Sequence, residues 1–289
     1  MRKVCNCPCF IIAIAGPWLC ISGAVYLDKS IVDPLTTYVP LIPTRDEDYL
    51  YHIAQMFEAL RRSVHLLRKF YEQFDLTDYH LNNTQRFFPY FNQFETNNKT
   101  IVRFTYDSEL TEEKNLWHAH TNNDNYQLII KFAKQYNVEA HQLCVEHGFA
   151  PQLLYYNKDE IYGWHIIIME YINGSMLSDI TKLTKDDTER ILQELYNAIQ
   201  KLHEKKLVFG DPRKNNIMIQ KDINGMQHIK LVDFDWCGIE DQACYPAFIN
   251  HEINWPSGVF DKKPLHRSHD KCFFNMLCDE FNMDHLKFH

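Results

Sequence analysis

The order of hydrophobic and polar positions changes period along the chain. In residues 45–74 hydrophobic positions recur every three or four residues, which predicts one long amphipathic helix. Residues 75–99 are polar and aromatic, and we expect them to form a connector. Short strand-like runs follow at 100–107, 115–121 and 126–132, separated by polar turns. The pattern therefore changes from helical to strand periodicity near residue 100.

Helices and strands alternate in the remainder of the chain. Asn137 can cap a short helix that Gly148 ends. The other predicted elements are strands at 152–156, 164–170, 217–219 and 228–232 and helices at 188–204 and 268–283. A long helix, an antiparallel sheet interrupted by one helix, and a mostly helical part with a short hairpin together predict an α+β fold.

An uncharged hydrophobic run covers residues 10–27 near the N-terminus. Its length, and the basic Arg2 and Lys3 before it, are compatible with a membrane anchor or a signal peptide. The Gly16-Pro17 pair interrupts the run, which favours a buried strand, a turn and a second buried element. We therefore expect a soluble intracellular protein, cytoplasmic or nuclear. Membrane contact by residues 10–27, or secretion, is the less favoured alternative.

Composition and charge narrow the range of functions. Hydrophobic residues make up 45% of the chain and charged residues 24%, which are values of globular proteins and exclude wholesale disorder. The formal net charge is -8 and there is no long basic run, so we expect no nucleic-acid partner. Cys5, Cys7 and Cys9 alternate and lack the two-residue gap of a zinc knuckle, which favours reduced thiols over a metal site.

The segment with the clearest chemistry is LHEKKLVFGDPRKNNIMI, at residues 202–219. A predicted helix ends there, and Asp211 and Asn216 follow in a polar loop before a short strand. The later segment LVDFDW places Asp233 directly after another strand. Phosphoryl transfer needs a carboxylate near the attacking hydroxyl, and magnesium prefers oxygen ligands. Two aspartates and one asparagine on neighbouring loops would supply these groups.

These segments resemble the motifs of the protein-kinase-like superfamily. FGDPRKNNIMI resembles its catalytic loop, LVDFDW its D-F-G segment, and MEYIN at 169–173 its interlobe hinge. The pattern over about residues 102–259 is similar to fungal kinase-like proteins with GDxRxxN and DFDW motifs, akin to aminoglycoside and choline phosphotransferases. The resemblance implies a two-lobed kinase-like fold with a reduced C-lobe. It divides the chain into an N-terminal helical extension at 1–99, an N-lobe at 100–172 and a C-lobe at 173–289.

The resemblance also implies a function and roles for single residues. The function is ATP- and Mg²⁺-dependent transfer of the γ-phosphate to a hydroxyl acceptor, either a protein or a small molecule. Asp211 would receive the proton of that hydroxyl or orient it, and Arg213 would lie beside the transferred phosphate. Asn216 and Asp233 would hold Mg²⁺, and Lys131 would contact the α- and β-phosphates of ATP.

Two further expectations concern the surroundings of Lys131 and adenine. Glu139 on the following helix would pair with Lys131, and Glu146 is the alternative partner on the same helical face. The backbone of Glu170 to Ile172 would contact adenine.

The chain also departs from the pattern of the superfamily. There is no glycine in residues 26–147, so the glycine-rich loop is missing, and the segment SELTEEKN is expected to add acidic charge near the phosphates. Phe209 and Asp235 replace the His of the catalytic loop and the Gly of D-F-G, and Asp270 is expected on a reduced version of the helix that anchors the loop. These departures keep open an alternative function, a pseudokinase that serves as a nucleotide- or protein-binding module.

Overall fold

The computed structural model of the chain describes residues 5–26, 29–73, 88–96, 98–111, 114–159 and 163–288. The chain divides into two compact units, residues 1–91 and residues 92–289. Most of the predicted connector at 75–99 lies outside the described residues. The predicted domain boundaries at residues 99 and 172 stay predictions.

The first unit contains a small antiparallel sheet and one long helix. Its elements are β1 (Cys9–Ala15), β2 (Trp18–Tyr26), β3 (Ser30–Pro34), β4 (Val39–Pro40) and α1 (Glu47–Gln73). Strand β2 pairs with each of the other three strands. Gly16 adopts a φ of +57° as the first residue of the two-residue turn between β1 and β2, a position that favours glycine in tight hairpins.

The hydrophobic run at 10–27 forms the predicted strand, turn and second strand, but its first strand is not buried. Ile11, Ile12 and Ile14 of β1 are 43%, 50% and 68% exposed, whereas Leu19 and Ile21 of β2 are buried. The expected burial of the first strand was wrong because β1 lies at the edge of the sheet. None of the residues of α1 is buried, so this helix does not form a closely packed layer over β1. In the described part of the chain no helix has the length and apolar character needed to cross a membrane.

The second unit begins with a six-stranded antiparallel sheet in the order β5-β6-β7-β8-β10-β9. The strands are β5 (Gln93–Glu95), β6 (Ile101–Thr111), β7 (Leu116–Thr121), β8 (Gln127–Ala133), β9 (Leu153–Lys158) and β10 (His165–Glu170). Leu128, Ile130 and Phe132 are buried at alternate positions of β8, as the two-residue period of a strand requires. Every predicted strand of this region is present within a few residues of its expected bounds.

Helix α2 (Val138–Glu146) interrupts the sheet between β8 and β9. The Asn137 side chain accepts a hydrogen bond from the Ala140 N–H at 2.9 Å, which confirms the predicted N-cap. The N–H of Asn137 donates to the Phe234 carbonyl at 3.1 Å, so the start of α2 is joined to the segment that carries Asp233.

The rest of the second unit is built around two helices. Its elements are β11 (Gly174–Met176), α3 (Lys185–Glu204), β12 (Leu207–Val208), β13 (Ile217–Lys221), β14 (Gln227–Leu231), β15 (Gly238–Ile239) and α4 (Arg267–Phe281). Strands β13 and β14 form a hairpin to which β11 adds, and β12 pairs with β15. The helices follow the sheet, so the predicted α+β fold class is confirmed.

One hydrophobic core joins these elements and fixes the loops between them. Ile191, Leu195 and Leu202 of α3 are fully buried at helical spacing, and they belong to the same cluster as Phe209 and Phe234. These two phenylalanines stand beside Asp211 and Asp233 in the loop of residues 209–216 and in the segment of residues 232–237. Core packing therefore positions both predicted acidic residues.

Candidate functional site

The loop of residues 209–216, between β12 and β13, is held by a buried carboxylate from α4. Asp270 is fully buried and accepts hydrogen bonds from the N–H groups of Phe209 and Gly210, each at 2.8 Å. Its carboxylate also lies 3.0 Å from Nε2 of His203, at the end of α3. Gly210 adopts a φ of +85°, a conformation that favours glycine. The expected anchoring of this loop by Asp270 is therefore present.

Within the loop, Asp211, Arg213 and Asn216 form one hydrogen-bonded group. The Asn216 Nδ2 donates to Asp211 Oδ2 at 2.9 Å and to the Asp211 backbone carbonyl at 3.0 Å. The Arg213 guanidinium donates to both carboxylate oxygens of Asp211, from Nη2 at 2.7 Å and also from Nε. The hydrogen bonds to Asp211 raise the pKa of Arg213, so this group remains charged. The carboxylate of Asp211 is thus fixed in position on two sides.

Arg213 also packs against the ring of Trp255, with its guanidinium carbon 4.8 Å from the ring centroid. This contact helps to order the Arg213 side chain, and it joins the loop to the segment that follows β15. The predicted position of Arg213 beside a transferred phosphate stays a prediction.

Asp233 occupies a strained backbone position two residues after the end of β14. Its φ is +71°, in the left-handed region that side-chain-bearing residues rarely adopt. The next residue, Phe234, is buried, stacks on His141 at 4.8 Å and packs edge-on against Phe209 at 5.4 Å. Phe209, at the position where the superfamily often has His, therefore makes an apolar contact that holds this segment beside the loop.

Lys131 on β8 pairs with two carboxylates of the LVDFDW segment. Its side chain is 3% exposed, and Nζ lies 2.5 Å from Asp233 Oδ1 and 2.5 Å from Asp235 Oδ1. Burial disfavours the Lys131 ammonium, but the two carboxylates outweigh that effect and raise its pKa. Burial also acts on Asp233, yet the lysines beside it hold its pKa well below the ordinary range. Asp233 therefore stays ionised.

Asp235 has the opposite behaviour to Asp233. Burial raises its pKa to about 6, and the neighbouring charge of Asp233 adds to that rise, although Lys131 opposes it. Asp235 stands where the D-F-G segment has glycine, and here its carboxylate is the second partner of Lys131.

The expected pairing of Lys131 with Glu139 is not present. Among the described residues, no ion pair joins Lys131 to Glu139 or to Glu146, and both glutamates are exposed on α2. The physical reason lies in the LVDFDW segment, because Asp233 and Asp235 already provide two carboxylates at hydrogen-bonding distance from the ammonium.

Lys114, in the turn between β6 and β7, was not among the predicted site residues. Its Nζ lies 2.5 Å from Asp233 Oδ2, and half of its side chain is exposed. The SELTEEKN segment was expected to add acidic charge, but Glu112 and Glu113 lie outside the described residues. The signal available in the sequence was a lysine at the tip of the hairpin that replaces the glycine-rich loop.

A cavity of about 400 Å³ gathers most of the predicted site residues. Its lining includes Lys114, Lys131, Asn216 and Asp233, together with apolar side chains such as Met169. Asp211 adjoins this group through its hydrogen bonds with Asn216, and Glu139 is not part of it.

The predicted hinge forms another part of the same cavity wall. Glu170, Tyr171 and Ile172 line it. The Tyr171 N–H donates to the Gln127 carbonyl at 3.3 Å, whereas the N–H of Ile172 donates to no other described residue. An available backbone donor beside apolar walls suits the edge of a planar heterocycle.

The oxygen atoms around Asn216 and Asp233 match the chemistry of magnesium. The described residues contain no cluster of three or more His, Cys, Asp or Glu side chains arranged to hold a metal ion. A magnesium site in a nucleotide cleft needs only one or two protein carboxylates or carbonyl oxygens, because substrate phosphates complete the coordination. The Asn216 Nδ2 is engaged by Asp211, so its Oδ1 is the atom left for a cation.

Comparisons with known proteins agree with this geometry. The sequence profile of the Protein kinase domain family matches residues 109–248. The solved structure of the Cydia pomonella granulovirus kinase PK-1 is similar to this chain with a TM-score of 0.51. That similarity covers 62% of this chain and 67% of the viral kinase at 16% sequence identity, so it concerns the fold alone. The chain therefore has a two-lobed kinase-like fold, and residues 109–248 are similar in sequence to the Protein kinase domain family.

Curated relatives are serine/threonine kinases. The chain is 29% identical over 161 residues to the probable serine/threonine-protein kinase mkcF of Dictyostelium discoideum, which covers 45% of this chain and 23% of that protein. It is also 29% identical over 132 residues to the RAC-beta serine/threonine-protein kinase of Mus musculus, covering 41% of this chain and 27% of that kinase. The chain thus spans about a quarter of the length of these two relatives.

Proposed function

We propose that this protein is an ATP- and Mg²⁺-dependent phosphotransferase that moves the γ-phosphate of ATP to a hydroxyl group of a protein or a small molecule. The observation that carries the proposal is the 2.5 Å contact between Lys131 Nζ and Asp233. It joins residues 102 positions apart in the sequence, inside a cavity that Asn216 also lines. A cation for the phosphates and oxygen ligands for a metal thus lie side by side.

The nucleotide would bind in the cavity that the hinge and Lys131 line. The free N–H of Ile172, among the described residues, offers a hydrogen bond to adenine, and the buried ammonium of Lys131 offers positive charge to the phosphates. Asp233 and Asn216 would hold Mg²⁺, which would neutralise phosphate charge when bound.

Asp211 would act on the acceptor hydroxyl. Its carboxylate is fixed by Asn216 and Arg213, so it can receive the proton of the hydroxyl, or orient that hydroxyl, without moving. The Arg213 guanidinium keeps positive charge beside the same carboxylate. The proposal covers both acceptor classes, a protein and a small molecule.

A pseudokinase is the second candidate, and a specific observation favours it. Each carboxylate oxygen of Asp233 already carries a lysine ammonium, at 2.5 Å from Lys131 and 2.5 Å from Lys114. The segment between β6 and β7 contains no glycine. Both features oppose tight binding of magnesium and phosphate, and a fold with weak nucleotide affinity could serve as a binding module.

The thermal midpoint with and without Mg-ATP tests the proposed nucleotide site. A ligand at about one hundred times its dissociation constant stabilises a protein by roughly 2.7 kcal/mol, which is a shift of several degrees. We expect this shift for the wild type, and its loss in Asp233→Ala when each variant is compared with its own ligand-free midpoint. Asp186→Ala, an exposed aspartate in the first turn of α3, is the matched control and should keep the shift.

Release of ADP in the presence of candidate acceptors then separates the two functions. A phosphotransferase should release ADP faster when its acceptor is present, and Asp211→Asn should abolish that increase while leaving the Mg-ATP shift in place. A wild type that binds Mg-ATP but transfers phosphate to no acceptor would support the pseudokinase. A wild type with no Mg-ATP shift at millimolar ligand would refute the nucleotide site.

A further inference from the structure

The hairpin of β6 and β7 places a second ammonium on Asp233. Lys114 Nζ lies 2.5 Å from Asp233 Oδ2, and Lys131 Nζ lies 2.5 Å from Asp233 Oδ1. The Asp233 carboxylate is therefore bound by two lysines, one from the turn between β6 and β7 and one from β8. Neither the resemblance to the superfamily nor the family comparison assigns a role to Lys114.

The register of the sheet explains why Lys114 reaches this position. Leu116 on β7 pairs directly with Lys131 on β8, so the turn immediately before Leu116 lies next to the buried lysine. The Asn115 carbonyl accepts a hydrogen bond from the Phe132 N–H at 3.1 Å, which ties the turn to β8. Asn115 itself has a φ of +44°, as a residue in a tight turn often has.

The turn lacks the backbone freedom that a phosphate-binding loop normally uses. Glycine-rich loops bring backbone N–H groups close to phosphates because glycine has no side chain in the way. The nearest glycines in the sequence are Gly23 and Gly148, both far from this turn. A side chain that carries a full positive charge can supply the missing attraction for phosphate without that backbone geometry.

The two lysines differ in how firmly they are held. The Lys131 side chain is 3% exposed and has Asp233 and Asp235 as partners, whereas the Lys114 side chain is 50% exposed and has Asp233 alone among the described residues. Lys114 can leave Asp233 without stranding a buried charge, because its own ammonium is half in water and Asp233 keeps Lys131 as a partner. Lys131 cannot leave without stranding a buried charge.

We propose that Lys114 is a second phosphate-binding lysine that replaces the glycine-rich loop of this site. The inference rests on the proposed function, since it needs a nucleotide in the cavity. In the free protein Lys114 neutralises Asp233, and in the complex it contacts the polyphosphate of a nucleoside di- or triphosphate. A nucleoside without phosphates gains nothing from it.

Calorimetric affinities for adenosine, Mg-ADP and Mg-ATP test this inference. Lys114→Gln should weaken Mg-ATP binding about tenfold, because a charge-assisted contact is lost, and leave adenosine binding unchanged. Lys114→Arg should keep most of the affinity for Mg-ATP. Lys158→Gln, an exposed lysine on β9 that does not line the cavity, should behave as the wild type does.

A titration with Mn²⁺ alone gives a second test, in which the same variant should bind its ligand more tightly and not more weakly. Removing Lys114 frees one oxygen of Asp233, so Lys114→Gln should bind Mn²⁺ more tightly than the wild type in the absence of nucleotide. Electron paramagnetic resonance of free Mn²⁺ reads this affinity directly. An unchanged Mn²⁺ affinity would contradict the pairing of Lys114 with Asp233.

The outcomes separate failure of this inference from failure of the proposed function. If the wild type binds Mg-ATP and Lys114→Gln binds it equally well, the role of Lys114 is refuted and the nucleotide site stands. If Lys114→Gln weakens adenosine as much as Mg-ATP, the lysine supports the fold of the hairpin and does not bind phosphate. If the wild type binds none of the three ligands, the nucleotide site is refuted and the role of Lys114 falls with it.

Discussion

The loop of residues 209–216 and the β6–β7 hairpin both bring charged groups to the site, but they are held in different ways. The loop is fixed by the Asp270 carboxylate, which is fully buried and accepts two backbone N–H groups at 2.8 Å. The hairpin contributes Lys114, whose side chain is half exposed and pairs with Asp233. Groups that must stay in place are thus held by buried hydrogen bonds, and a group that we propose changes partner is held by an ion pair whose lysine is half exposed.

The difference has an energetic basis. Two N–H donors that lose a buried acceptor have no water to replace it, so each costs about 1–3 kcal/mol. The half-exposed Lys114 is solvated at once when it leaves Asp233, and Asp233 keeps Lys131 as a partner, so this change of partner costs less. The loop therefore resists displacement, whereas the hairpin tip can adjust to a ligand.

Replacing Asp270 tests the firmness of the loop and should have the largest effect. Asp270→Ala leaves the N–H groups of Phe209 and Gly210 without an acceptor, and we expect a loss of about 3–5 kcal/mol in the free energy of unfolding. Asp270→Asn keeps one acceptor oxygen and should lose less. Urea unfolding followed by tryptophan fluorescence measures both changes.

Asp279→Ala is the control on the same helix. Asp279 pairs with Lys287, and its side chain is 62% exposed, so this substitution should cost no more than about 1 kcal/mol. If Asp270→Ala were as mild as Asp279→Ala, the loop would not depend on the buried carboxylate, and the contrast between loop and hairpin would be lost.

The same contrast shows what the sequence could reveal. Asp211 and Asn216 lie five positions apart, so local order was enough to predict that they form one group, whereas the place of Asp270 came from the resemblance to the superfamily. The elements of the second unit could also be predicted, because period and caps such as Asn137 are local features.

The partners of Lys131 and Asp233 could not be predicted in the same way. Lys114 and Asp233 are 119 positions apart, and only the register of β7 against β8 brings them together. The choice of Asp235 over Glu139 depends on the three-dimensional positions of two carboxylates around one ammonium. The exposure of β1 likewise depends on which elements cover the sheet, and the hydrophobic period of a strand does not reveal that.

Asp235 is partly buried, like neither the fully buried Asp270 of the loop's anchor nor the half-exposed Lys114 of the hairpin, and the like charge of Asp233 lies beside it. Its pKa is raised to about 6 from an ordinary value of 3.8, so the native state favours its protonated form. The stability that this group contributes is full below about pH 4 and is lost as the pH rises through about 6. Asp235→Asn removes that loss. As the pH rises from 4.5 to 7.5, we expect the free energy of unfolding of this variant to increase by about 2 kcal/mol relative to that of the wild type.

Asp261→Asn is a control with the opposite sign. The hydrogen bond that Asp261 accepts from the Ile249 N–H at 2.9 Å lowers its pKa, so its contribution is present above the ordinary pKa and is lost as the pH falls. Thermal or urea unfolding of both variants gives the comparison when it extends to acid: Asp261→Asn should differ from the wild type with pH only below about pH 4, and should show no pH-dependent difference between pH 4.5 and pH 7.5. A gain by Asp235→Asn that is the same at both pH values would show that its carboxylate is not perturbed.

The smallest expected effect compares two helix caps on the two sides of the site. Asn137 caps α2 beside the Asp233 segment, and Thr184 caps α3, where its Oγ1 accepts the Asp187 N–H at 3.1 Å. Replacing either residue with alanine should cost about 1 kcal/mol of stability. Because the Asn137 N–H also donates to the Phe234 carbonyl, loosening the start of α2 should disturb the segment that carries Asp233.

Nucleotide affinity distinguishes the two caps where stability does not. Asn137→Ala should weaken Mg-ATP binding about twofold, whereas Thr184→Ala should leave it unchanged because α3 belongs to the firmly packed core. Equal losses of affinity in both variants would mean that the binding site responds to global stability alone. A loss confined to Asn137→Ala would place the adjustable part of the site in the sheet, α2 and the hairpin, and the fixed part in the loop that Asp270 anchors.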